Sequence, residues 1–281
     1  MKSSSELFPV ALLGAEQHTL WSEDTYRLKP NNSTDLSAEF VLTRVSRSEL
    51  GLAQPLLWLP PFLTSRSDWR DRWELQVVDL LDHGYEVWLL DWRGHGLSPR
   101  AQRWAHTRVS DLAAYDVPAA AAFIAEHNKH PLKLLAEGSA AQVWLAAHAF
   151  SSEPSPYLET LLGASCVMLW PVLGRVGLAH YVRAMGWQDC ELEVSRQGVQ
   201  VRGGFEVLPR RLFDELLFGR NERSNQWQGY FKPSPLVVVD LPGRERALEQ
   251  FLKTVPSTPA SAILSTRGRL RVGLLRRWLA A

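Results

Sequence analysis

The chain has few cysteines, no long apolar run and no surplus of either charge. Two cysteines, Cys166 and Cys190, cannot build a disulfide framework in 281 residues, which points to a reducing compartment. Each reads as a small buried apolar residue rather than a ligand. No stretch reaches the roughly 18 apolar residues that a membrane span requires. The apolar run Leu7 to Ala15 is preceded by Glu6 and followed by no cleavage pattern. A cytoplasmic protein without a transmembrane segment is therefore expected. Thirty-one Lys and Arg against thirty Asp and Glu leave a net charge of +1, which excludes a global pull toward nucleic acid or anionic membranes. No cofactor and no metal ion is expected. What is abundant is tryptophan: twelve residues, enough to ask whether some line a pocket instead of the core.

Apolar patterning predicts alternating strands and helices. His18 to Leu28 and Ala38 to Val45 read as two antiparallel strands around the turn-rich Lys29-Pro30-Asn31-Asn32-Ser33. Pro55 to Leu59 and Tyr85 to Leu90 are short continuous apolar runs, the mark of strands buried on both faces of a mainly parallel sheet. Between them Trp69 to His83 has helical spacing and ends at Gly84, a C-cap residue. Further on, Val109 to Asn128 reads as an Ala-rich helix, Leu132 onward as a strand, Ala140 to Phe150 as a helix and Gly163 to Leu169 as a strand. The rhythm then breaks over residues 171–233. That segment offers a helical piece near Ala179 to Met185, the runs Glu191 to Val194 and Val199 to Val201 around a Gly198 turn, and a helix Pro209 to Phe218. Strands at Pro235 to Val239 and Ala260 to Leu264 follow, each with a helix behind it, Arg244 to Thr254 and Leu270 to Ala280. The length suits a single domain over residues 1–281.

Two motifs interrupt this pattern. Asp91-Trp92-Arg93-Gly94-His95-Gly96-Leu97-Ser98 follows one buried strand, and Ala136-Glu137-Gly138-Ser139-Ala140 joins another to a helix through tiny residues. With the strand Leu56 to Leu59 and its loop, they resemble the α/β-hydrolase superfamily in kind and order: the oxyanion loop, the D-x-R-G-x-G-x-S stretch, then the G-x-S-x-G elbow. The resemblance implies an α/β fold. It is a three-layer α/β/α sandwich with a mainly parallel twisted sheet, an antiparallel N-terminal edge and a small lid inserted at about 171–233.

It also implies a triad in the chain order Ser, acid, His, and here each member is replaced. Ala136 and Ala140 fill the small slots of the elbow, so Gly138 stands where the nucleophile belongs. By spacing, Arg244 occupies the acid position, with Asp240 and Glu245 near it. The base should follow the last strand, where Ser265-Thr266-Arg267-Gly268-Arg269 stands, and no histidine occurs after His180. The His-Gly pair of the oxyanion loop has become Pro60-Pro61, which removes two N–H donors and leaves those of Phe62 and Ser139. His95 reads as a loop-packing residue, because nothing adjacent orients it as a base.

Two functional readings result. The first is a degenerate, non-hydrolytic member that binds a small acyl or carboxylate ligand in the crevice at the strand ends. Its expected contacts are Phe62, Gly138, Ser139, Trp92, Arg244 and Arg269. Trp58, Trp92, Trp144 and Trp170 lie at or beside those strand ends and would wall the crevice unless they simply pack the core. The alternative is an active ester or acyl hydrolase or transferase with displaced groups: Ser139 as nucleophile, His106 or His180 as base, Glu137 or Asp240 as acid. Against it, Ser139 also reads as a helix N-cap. The arginine-rich end, Arg267 to Arg277 interspersed with Leu270, Leu274 and Trp278, is either the last helix of the fold or a basic amphipathic surface for a protein partner or an anionic surface.

Overall fold

The computed structural model describes residues 5–30, 33–47, 52–65, 74–137, 139–140, 143–144, 146–147, 165–170, 192–196, 198–201, 205–218, 236–240 and 262–265. The chain enters through an antiparallel meander of β1 (Val10–Gln17), β2 (Ser22–Leu28) and β3 (Phe40–Ser46). The sequence reading has one strand running from His18; the structure places a hairpin turn there instead, with the His18 N–H donating to the Trp21 carbonyl at 2.9 Å. The missing strand is the apolar N-terminal run, whose Val10 and Leu12 pack against the core while Leu13 is exposed.

β4 (Gln54–Leu59) is buried on both faces from Pro55 to Leu59, as its continuous apolar run requires. Helix α1 (Glu74–Asp82) ends at Gly84, whose φ of +80° and N–H bond to Leu81 make the C-cap. β5 (Tyr85–Asp91) follows at once. The Ala-rich segment is a helix in three parts: a turn over Val109–Asp111, a π turn over Leu112–Asp116, then α2 (Val117–His127). Its alanines 119–122 are all buried. The π turn, unanticipated from the sequence, ends at the buried Asp116.

β6 (Lys133–Glu137) leads through Ser139 to the helical residues Ala140, Val143, Trp144, Ala146 and Ala147. The remaining elements are β7 (Ser165–Trp170), β8 (Leu192–Val194), β9 (Gly198–Val201), β10 (Val207–Pro209), α3 (Arg210–Phe218), β11 (Leu236–Asp240) and β12 (Ala262–Ser265). The nine-stranded sheet has the order β1-β2-β3-β5-β4-β6-β7-β11-β12, with β5 through β12 in that order all parallel. The step from β4 to β5 moves one way along the sheet and the step from β5 to β6 moves back past β4. Right-handed crossovers therefore put α1 and α2 on opposite faces.

Within 171–233, β8, β9 and β10 form a separate antiparallel three-stranded sheet. Gly198 is the first residue of β9 and not a turn residue, because the turn is closed by Ser195, whose N–H donates to the Gly198 carbonyl at 2.8 Å. The helices expected at 179–185, 244–254 and 270–280 lie outside the described residues, and so does the proposed basic surface.

Under the sheet, charge is buried in matched form. Glu86 accepts from Arg44 Nε at 2.9 Å and from the Trp88 indole and Asn128 amide at 2.9 Å each. Arg44 also reaches Asp24 at 3.3 Å. With Arg44 Nη2 also 2.8 Å from Glu86, both carboxylate oxygens face two donors each, which is how a fully buried charge is tolerated.

Candidate ligand crevice

The order β5-β4-β6 reverses direction at β4 and β6, and ligands of open α/β sheets bind outside the carboxyl ends of the strands at such a switch point. Leu59 and Ala136 are register neighbours at those ends. The 60–65 loop and the turn at Ser139 therefore leave the sheet side by side. Prolines at 60 and 61 have no N–H, so Phe62 is the first donor after β4, and it donates to Ser139 Oγ at 3.2 Å. Both residues are buried, Ser139 to 2% exposure. A purely helix-capping Ser139 does not account for this contact across the sheet.

The next donor, Leu63 N–H, goes to His95 Nε2 at 3.2 Å. That bond sets the tautomer. Nε2 must present its lone pair, so the ring proton sits on Nδ1, which faces the Arg93 carbonyl at 3.3 Å. His95 is 1% exposed. Burial holds its pKa below the usual histidine value, against a smaller upward pull from Glu206 and the Arg93 carbonyl, while Arg100 pushes it down further. Leu63 itself stands at φ +64°, a left-handed conformation that costs a leucine about 1–2 kcal/mol and that its bond to His95 helps to hold. At the start of the loop the Trp92 indole N–H donates to the Pro60 carbonyl at 2.8 Å, and the Trp92 ring stacks on Phe62 at 4.7 Å. The 91–98 segment thus grips the 60–65 loop at both ends.

That segment is itself held at several points. Leu97 N–H donates to Asp91 Oδ2 at 3.1 Å. Ser98 Oγ donates to the Asp91 carbonyl at 2.7 Å and accepts from Val41 N–H at 2.7 Å, tying the loop to β3. Gly96 stands at φ +52°, and a Cβ there would lie 2.3 Å from Asp91 Oδ2. Arg93 donates through Nε to both Asp116 carboxylate oxygens, at 2.7 and 3.0 Å, and through Nη2 as well. The π turn is what brings Asp116 to this point. From the segment around β10 and α3, Glu206 accepts Gly96 N–H and Glu215 accepts Val109 N–H, each at 2.9 Å. Burial raises the Glu215 pKa, against the pull of that N–H and of Arg108 and Arg211.

The structure thus brings Phe62, Trp92 and Ser139 together. Trp58, Trp92 and Trp144 are each 1% exposed, so they pack the core behind the crevice and do not wall it. Trp170 ends β7. Asp240 ends β11, in register with Trp170 on one side and Ser265 on the other, at the same edge of the sheet as Glu137. His106 lies exposed in the 3₁₀ turn Trp104–His106, and no bond to Ser139 is present among the described residues. Gly138, His180, Arg244 and Arg269 lie outside the described residues. Glu206, Glu215 and the contact role of His95 were not legible in the sequence, because their partners are distant along the chain. Among the described residues no cluster of His, Cys, Asp and Glu has the makings of a metal site, and no helix is long and apolar enough to cross a membrane.

No protein-family model matches the chain, and no curated protein matches it. Solved structures do. Acetyl xylan esterase 1 from Thermoanaerobacterium superposes with a TM-score of 0.58 at 12% identity, covering 97% of this chain and 87% of that one. The thioesterase domain from the curacin biosynthetic pathway gives 0.56 at 12% identity, with 87% and 96% covered. A soluble variant of monoglyceride lipase from Saccharomyces cerevisiae gives 0.50 at 13%, with 95% and 89% covered. At such identities the likeness speaks for architecture, and strand order, switch point and structural neighbours agree that this chain has the α/β-hydrolase fold.

Proposed function

We propose that the protein is a non-hydrolytic α/β-hydrolase-like protein that binds a small ligand with an acyl or carboxylate head in the crevice between the 60–65 loop and the turn at Ser139. The observation that carries this reading is the Phe62–Ser139 bond. An ester hydrolase keeps the first backbone donor of this loop for the oxygen that becomes negative in the transition state. Here a buried hydroxyl of the same chain takes that donor, and the next one is spent on His95. The sequence supports the same reading: Gly138 stands at the elbow and histidine is absent after His180. The ligand class rests on the sequence reading of Arg244 and Arg269 at the acid and base positions, since arginine holds a carboxylate in bidentate geometry. It is also in keeping with structural neighbours named as an esterase, a thioesterase and a lipase.

One observation favours the alternative, an ester or acyl hydrolase using Ser139: its Oγ lies beside a backbone donor of the oxyanion loop. A nucleophile also needs a base that can take its proton, and the lone pair of His95 is already committed to Leu63. The discriminating experiment is labelling with a fluorophosphonate probe of serine hydrolases. No stoichiometric adduct is expected. An adduct mapped to Ser139 and abolished in Ser139→Ala overturns the non-hydrolytic reading.

A further inference from the structure

His95 occupies a position that the binding reading leaves unexplained. A buried, titratable ring accepts the Leu63 N–H, and Leu63, in a left-handed conformation, directly follows the residue whose N–H goes to Ser139. The ring also touches the Phe62 side chain edge-on at 6.1 Å. Among the described residues the charged groups that act on it are Glu206, ahead of β10, and Arg100, on its own loop; the 60–65 loop brings none. Glu206 is already anchored one residue away, on Gly96 N–H.

Protonation at Nε2 converts an acceptor into a donor, so an imidazolium and Leu63 N–H face each other with two hydrogens and no lone pair. Among the described residues the carboxylate that acts on the ring is Glu206. We propose that His95 is a proton-operated latch of the crevice: the neutral ring holds the 60–65 loop shut on Ser139, and the protonated ring exchanges Leu63 for Glu206 and releases the loop. The proposal rests on the reading of this crevice as a binding site, whose access the latch would regulate.

The sign follows from linkage. The latched state disfavours the proton through burial, whereas a released, solvated ring takes it near the ordinary histidine value of about 6.5. The open state therefore binds more protons, and its population rises as pH falls below that value. The limit for one proton is tenfold per pH unit.

The test is amide hydrogen exchange of the full chain between pH 7.5 and 5, corrected for intrinsic exchange, with Leu57 and Trp58 in β4 as reporters of global opening. Protection at Phe62 and Leu63 is expected to fall by up to tenfold per pH unit below about 6.5, while β4 stays protected. In His95→Gln, which keeps an acceptor and a donor but does not titrate here, protection is expected to be independent of pH. In Glu206→Gln the onset is expected to move to lower pH. An unchanged acid response in His95→Gln, or full protection of Leu63 at pH 5 in the parent, overturns the latch. An unmoved onset in Glu206→Gln overturns the exchange with that carboxylate. The readout needs no ligand, so its failure is distinct from failure of the binding reading, which the Ser139 labelling decides.

Discussion

Asp116→Asn is the substitution whose cost is best defined by the geometry. Asp116 is fully buried and takes three hydrogen bonds from Arg93, whose own side chain is 4% exposed. Burial pushes the Asp116 carboxyl above the usual carboxylate range, and Arg93 pulls the other way. The charge is tolerated because its partner is beside it. Replacing the carboxylate with an amide of the same shape leaves a guanidinium in the interior with neutral acceptors, the amide oxygen and the Ser33 hydroxyl at 3.5 Å. Removing one member of a buried pair costs about 3–5 kcal/mol, a large part of the 5–15 kcal/mol that holds a typical domain together. In thermal denaturation the midpoint is expected to fall on the order of 10 °C. The apolar double variant Arg93→Met with Asp116→Leu is expected to recover most of that loss, since a well-packed apolar pair replaces a buried ion pair at little cost. A single variant that loses less than about 1 kcal/mol, or a double variant no better than the single, refutes the assignment of Arg93 and Asp116 as an interdependent buried pair. The same measurement bears on the crevice, because the Arg93 carbonyl faces His95 Nδ1.

Gly96→Ala places a methyl group 2.3 Å from Asp91 Oδ2 in a left-handed residue; a loss of roughly 1–3 kcal/mol is expected in urea unfolding, and a neutral result would mean that Asp91 moves freely. Gly138→Ser by itself is expected to create no appreciable esterase activity, because triad members act as a unit; a p-nitrophenyl ester rate beyond the roughly 10³- to 10⁴-fold residual of triad-less enzymes over water would reveal a base already in place and make His106 and His180 the next residues to change. If Arg244 and Arg269 hold the ligand, a carboxylate or phosphate compound that raises the melting temperature of the parent should lose that effect in Arg244→Ala and in Arg269→Ala; a variant that keeps the full shift removes that arginine from the site.

What the sequence determined by itself is the architecture. Continuous apolar runs such as Leu56 to Leu59 and Tyr85 to Leu90 mark strands buried on both faces, because a parallel sheet covered by helices leaves them no polar side. Tiny residues at 136 and 140 mark the strand-to-helix turn, and the absence of histidine after His180 is visible without any register. The N-terminal strand was less legible, since an eight-residue run with one bulge near Gly14 carries little period-2 signal. Only the tertiary structure decided which partners the loops at the strand ends take. The Phe62–Ser139 bond spans 77 residues, Leu63–His95 spans 32 and Gly96–Glu206 spans 110, and no local pattern encodes such pairings. The first two arise because the sheet order sets β4 between β5 and β6, so loops far apart in sequence leave adjacent strand ends, while Glu206 comes from beside the separate β8–β10 sheet. The same holds for Arg93 and Asp116: each is an ordinary charged residue in the sequence, and the π turn of the helix makes them a buried pair.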